Sequence, residues 1–79
     1  MISEKEYEFI LLEIGLKIGY YRRKSGMTQA ELAEYAGISL SYLRQLESPS
    51  LPYCPSIKSL FKIAKALGIK ASKLIDLDD

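Results

Sequence analysis

The chain has 79 residues, 48% of them apolar and 27% charged, with a formal net charge of +1, which bounds it to one small domain able to build a core unaided. A single cysteine and no histidine exclude an internal disulfide, most metal sites and His-dependent nucleophile pairs, so the chain reads as reduced, cytoplasmic, cofactor-free and non-enzymatic. Glu4, Lys5, Glu6, Glu8 and Glu13 interrupt the early apolar residues, which argues against a secretory leader and a membrane span.

The charge is uneven. Residues 1–19 carry four glutamates against two lysines, whereas residues 20–79 carry nine basic and six acidic groups. An acidic arm on a mildly basic body permits phosphate binding without demonstrating it.

Residues 4–24 read as one long first helix, with Tyr7, Ile10, Leu11, Ile14, Ile18 and Tyr21 on a core-facing stripe. Phe9, Leu12, Leu16 and Tyr20 form a second stripe beside it. Either the domain wraps the helix broadly, or its N-terminal half buries the second stripe in a partner subunit as a homodimer. Gly15 and Gly19, four apart, admit a close helix–helix approach. Ser25 and Gly26 end this helix.

Thr28 to Glu47 carries two short helices joined at a glycine. Thr28 caps the first and Glu31 completes a T-x-x-E capping box. Leu32, Ala33 and Ala36 form its apolar face, and Gly37 lets the chain leave through positive φ. Ser39 caps the second, whose core residues are Leu43 and Leu46. This is a helix-turn-helix.

Three prolines, Pro49, Pro52 and Pro55, make the following stretch a stiff loop, with Cys54 expected as a small apolar filler. Ser56 then caps a fourth helix ended by Gly68, with Ile57, Leu60, Phe61, Ala64 and Leu67 as its buried stripe. Lys58, Lys62 and Lys65 form a solvated row opposite. Residues 71–77 form a short last helix with Leu74 and Leu77 turned inward, followed by an acidic end. The predicted fold is all-α, five helices, in a single domain over residues 1–79 whose residues 1–15 extend the first helix.

With Leu40 at zero and ~100° per residue, Leu40, Ser41, Arg44, Gln45 and Ser48 share one arc of ~140°. Tyr42, Leu43 and Leu46 lie opposite. The arc holds groups that reach and hydrogen-bond, without a carboxylate among them, which suits base edges. Thr28 and Ser39, at helix N-termini, and Gln29 in the first turn suit backbone phosphates. Glu31 and Glu34, the one imaginable carboxylate pair, read as solvated residues and not as an acid–base site.

RRKSGMTQAELAEYAGISLSYLRQLE resembles the helix-turn-helix of the Cro/phage-repressor (XRE-like) family of bacterial and phage regulators, and IKSLFKIAKALGIKASKLI resembles that family's fourth and fifth helices. The resemblance covers residues 16–76. It implies a five-helix lambda-repressor-like DNA-binding domain, commonly dimeric on two half-sites. By position it implies base reading by Leu40, Ser41 and Gln45, with Arg44 beside them, and phosphate contact by Gln29 and Ser39, to which Thr28 at its helix end and Tyr42 are added as expected phosphate contacts. It also implies a structural ion pair between Arg22 and Glu47. Three departures stand out: Leu40 occupies a position often polar, the loop after Glu47 lacks Lys and Arg, and Lys70 replaces a helix cap. The expected function is a sequence-specific, double-stranded-DNA-binding regulator, most simply a repressor, with no small-molecule ligand evident. The alternative is a protein-interaction module of the same fold, such as an antitoxin-like partner protein.

Overall fold

Ser3, Thr28, Ser39 and Ser56 each stand just ahead of a helix, and each hydroxyl accepts a backbone N–H from three residues on. In the computed structural model, which describes residues 1–75, these caps start α1 (Glu4–Lys24), α2 (Gln29–Ala36), α3 (Leu40–Glu47) and α4 (Ile57–Leu67). A short α5 (Ser72–Ile75) follows, so the described residues are all-α with five helices. Leu77 and the acidic end lie outside the described residues. The caps of α1 and α2 are reciprocal boxes, Glu6 and Glu31 each returning a carboxylate to the capping residue's own N–H. The Ser3–Glu6 box has the same S-x-x-E spacing in the sequence. Gly37 leaves α2 at φ 71°, a left-handed geometry that an L side chain rarely adopts, and this turns the chain sharply into α3.

The core gathers Ile14 and Ile18 of α1, Leu32 and Ala36 of α2, Leu43 and Leu46 of α3, Ile63 and Leu67 of α4, and Leu74 of α5. α2 packs on both α3 and α4, and α1 lies across α3, α4 and α5. Among the described residues no helix is long and apolar enough to cross a membrane.

Three expectations are corrected. In α4 the buried residues are Ile63, Ala64 and Leu67, while Ile57 and Phe61 face solvent. At ~100° per residue Ile57 and Phe61 lie ~120–160° from Ile63, so the apolar residues of α4 span more than one face and α2 selects only one. Cys54 fills no gap in the core. It is exposed, and its Sγ accepts a hydrogen bond from the Tyr7 hydroxyl at 3.4 Å. The second stripe of α1 is also not wrapped by the domain. Phe9, Leu16 and Tyr20 are 62%, 57% and 53% exposed, on the back of a helix whose front buries Leu11, Ile14 and Ile18.

Gly15 and Gly19 do serve a close helix approach, and it lies within the chain. A Cβ at Gly15 would fall on the Leu46 carbonyl oxygen. One at Gly19 would lie 3.2 Å from the Glu47 carboxylate and 3.1 Å from the Arg23 guanidinium. The two glycines therefore let α1 settle against the C-terminal end of α3.

Gly15→Ala tests this approach. Alanine gains up to ~1 kcal/mol of helix propensity, against an overlap with backbone that cannot rotate away, which costs about 1–3 kcal/mol in packed interiors. The expected outcome is a net loss in urea unfolding and a melting temperature lower by several degrees. A variant as stable as the parent would show that α1 and α3 are not in contact at this point.

Candidate nucleic-acid interface

α2 and α3 are eight residues each, too short to hold their shape alone. Their geometry comes from what grips them, and the grip centres on Glu47, the last residue of α3. Its Oε2 accepts from Arg22 Nε at 2.9 Å, and its Oε1 accepts from Arg22 Nη2 at 3.0 Å and from Gln29 Nε2 at 3.2 Å. The second guanidinium nitrogen, Nη1, donates to the Met27 carbonyl at 2.9 Å. One carboxylate thus ties the end of α1, the loop after it, the start of α2 and the end of α3 together. The Arg22 and Glu47 side chains are only 12% and 6% exposed, so the fork–fork pair sits largely out of water with its hydrogen-bonding capacity used.

With its C-terminal end held and Leu43 and Leu46 buried, α3 turns Ser41, Arg44 and Gln45 outward together. Leu40 sits at the edge of this row, half-buried against the core, so it is shared between packing and surface. Ser39 and Thr28 stand at the N-termini of α3 and α2. Their hydroxyls accept from Tyr42 N–H and Glu31 N–H, both at 3.0 Å, and each still has its own O–H proton to donate. The first N–H groups of each helix have no intrahelical acceptor and carry the positive end of the dipole, which makes both ends attractive to an anion.

Two of the expected phosphate-contacting residues have internal partners that the sequence did not disclose. The Gln29 amide is turned to Glu47, which leaves its carbonyl oxygen and one N–H for other use. The Tyr42 hydroxyl accepts from the Ser56 backbone N–H at 3.1 Å, and its ring meets Tyr53 edge-on at 5.9 Å between centroids. Burial pushes the Tyr42 phenol up, but hydrogen bonds from Ser59 and Ser56 outweigh that and leave it below the usual tyrosine value. Tyr42 thereby stitches α3 to the start of α4 across the proline loop. Within that loop Ser48 Oγ accepts from Ser50 N–H at 3.4 Å, and no Lys or Arg lies between residues 48 and 56.

Residues 18–74 match the helix-turn-helix family model HTH_3. The chain is 40% identical over 63 residues to the HTH-type transcriptional regulator SinR of Bacillus subtilis, across 80% of this chain and 56% of SinR. It is 38% identical over 64 residues to the immunity repressor protein of Bacillus phage phi105, across 81% of this chain and 43% of the repressor. The crystal structure of SinR, the master regulator for biofilm formation, in complex with DNA superposes with a TM-score of 0.74 at 40% identity. That match covers 80% of this chain and 98% of the SinR chain. The chain therefore spans about half the length of these curated relatives.

Breaking the clasp on one side should be costly. Glu47→Ala leaves the Arg22 guanidinium largely buried without its anion, and such removals cost about 3–5 kcal/mol. A double Arg22→Met, Glu47→Leu variant should recover much of that loss, because no buried charge is then left alone. Urea unfolding followed by helical circular dichroism reads both. Equal stability of Glu47→Ala and the parent would remove the clasp from any account of how α3 is held.

Proposed function

The chain belongs to the helix-turn-helix family HTH_3, and on that footing we propose that it is a sequence-specific, double-stranded-DNA-binding transcriptional regulator, acting as a repressor in the cytoplasm. One observation carries the reading. α3 presents Ser41, Arg44 and Gln45 as an outward row with no carboxylate, next to two helix N-termini that suit phosphate. The relative SinR is named a transcriptional regulator and has been seen in complex with DNA, and the phage relative is named a repressor.

The mechanism is insertion of α3 into the major groove of a half-site. Gln45 suits the paired donor and acceptor of adenine, and Arg44 suits the two acceptors of guanine. Ser41 serves either kind of base edge, and Leu40 offers its exposed part to a thymine methyl. Thr28, Ser39 and the free part of the Gln29 amide fix register on phosphate oxygens, and the Tyr42 hydroxyl adds a further donor. Arg22 and Glu47 contact no base and set the angle of α3 instead. The proline loop contributes no cation, so the electrostatic share of affinity is small and base contacts carry a larger share of it.

Duplexes recovered by genomic-fragment selection test both statements. Gln45→Ala should lose about 1–3 kcal/mol on its cognate site and relax preference at one base-pair position, while affinity for random duplex stays nearly unchanged. The plot of log K against log[salt] should be shallow, since each phosphate-bound Lys or Arg adds only ~0.9 to its slope. Unaltered discrimination by Gln45→Ala would overturn the assignment. Failure to bind any duplex at about 50 mM salt, with a protein partner co-purifying instead, would overturn the function.

A further inference from the structure

The back of α1 is an apolar surface that the reading face leaves unused. With Phe9 at zero and ~100° per residue, Leu16 and Tyr20 fall within ~20° of it, while Ile14 and Ile18 lie ~140–180° away in the core. Phe9, Leu16, Tyr20 and Ile2 are all exposed. This straight apolar row runs from Phe9 to Tyr20 of a 21-residue helix, and contiguous exposed rows of this kind mark association surfaces. At its N-terminal end, Ile2, Phe9 and Ile10, with Lys5, Glu6 and Glu13, line an open hollow of about 410 Å³.

The charges beside the row choose the occupant. The first half of α1 carries Glu4, Glu6, Glu8 and Glu13 against one lysine, and the second half carries Lys17, Arg22, Arg23 and Lys24 with no carboxylate. Glu6, Glu13, Lys17 and Lys24 lie together on one flank of the row, ~40–80° from Phe9. A second copy of α1 laid antiparallel, by a two-fold axis crossing the helix near Gly15, meets this pattern with its opposite. Phe9 then faces the partner subunit's Tyr20, whose ring enters the hollow. On the flank Glu13 faces the partner subunit's Lys17, and Glu6 faces the partner subunit's Lys24. A parallel pair, related by an axis along the helices, would instead set this flank against the opposite one, where Lys24 meets the partner subunit's Arg23 and Glu13 meets the partner subunit's Leu12. A two-fold contact uses one patch twice and needs such self-complementarity.

We propose that the exposed row Phe9–Leu16–Tyr20 of α1, with Ile2 beside its N-terminal end, is a self-association surface, on which two copies of this chain pair through antiparallel α1 helices. One pair of ~31 Å helices buries less than a standard interface, so the dimer is weak and concentration-dependent. It does not depend on the DNA-binding reading.

Sedimentation equilibrium of the full chain, from about 20 µM to 1 mM at low salt, reads the association. The expected result is a reversible monomer–dimer equilibrium, weakened ~tenfold or more by Leu16→Glu. That residue is exposed, so the thermal melt at low concentration should match the parent and separate association from folding. Glu13→Lys should weaken the dimer, and adding Lys17→Glu should restore it, because the swapped charges again face opposites across the two-fold axis. Orientation has its own readout in a Cys54→Ser background. Phe9→Cys mixed with Tyr20→Cys should form a disulfide-linked dimer on mild oxidation, and neither should do so alone. A monomer throughout, a dimer indifferent to Leu16→Glu, or self-linking of Phe9→Cys would overturn the proposal.

Discussion

The Glu47 carboxylate is the point on which the rest of the structure depends. Three N–H donors from two other elements converge on it at 2.9–3.2 Å, at the end of an eight-residue helix that could not stay helical on its own. Removing water from a carboxylate and a guanidinium is expensive, and the cost is offset only when the geometry satisfies nearly every donor and acceptor. Here the carboxylate accepts three N–H groups, and a third guanidinium N–H goes to the Met27 carbonyl. Glycine at positions 15 and 19 is part of the same device, because a side chain at 15 would push α1 off the Leu46 backbone and one at 19 would crowd the Glu47 carboxylate. The direction of α3 is therefore a property of α1 as much as of α3.

Such a fixed mount lets α3 divide its circumference. Leu43 and Leu46 belong to the core, Ser41, Arg44 and Gln45 to the surface, and Leu40 to both. Tyr42 faces a fourth way and holds the start of α4 through Ser56. A helix gripped at its C-terminal end by Glu47 and at its side by Tyr42 has little freedom to roll. The fixed backbone saves entropy on binding, whereas the long, exposed Arg44 and Gln45 side chains still lose rotamer freedom when they form hydrogen bonds.

Much of this was legible in the residues, and the failures share a cause. Capping hydroxyls and Gly37 have local geometric requirements, so helix starts and the motif turn could be read directly, and all of them stand where expected. The Arg22–Glu47 pair spans 25 positions, which no local pattern reaches, and was anticipated only through the family resemblance. Helical periodicity supplies a spacing, but it supplies a phase only when apolar residues fill less than half the circle. On α4 they fill more, so spacing alone places Ile57 and Phe61 in the core and misses Ile63. On α1 they fill two opposite faces, and the sequence could not say whether the second was wrapped. Gln29 and Tyr42 illustrate a different limit, since a long polar side chain chooses its partner only when the fold presents one.

The placement of the two faces on α1 has a consequence for assembly. The glycines that seat α3 lie about a quarter turn from the Phe9 row, and Gly15 lies next to the proposed two-fold axis. Packed helix axes are ~8–10 Å apart at closest approach, so the C-terminal ends of the two α3 helices, where Leu46 and Glu47 rest on Gly15 and Gly19, would lie within roughly 30 Å of each other across the proposed pair. The quarter turn brings those ends closer still. On the proposed readings, an α1-paired dimer and two half-sites ~34 Å apart on B-form DNA set separate demands on α3. The pair fixes one end of each helix, and the direction in which the other end projects decides whether both can enter successive major grooves.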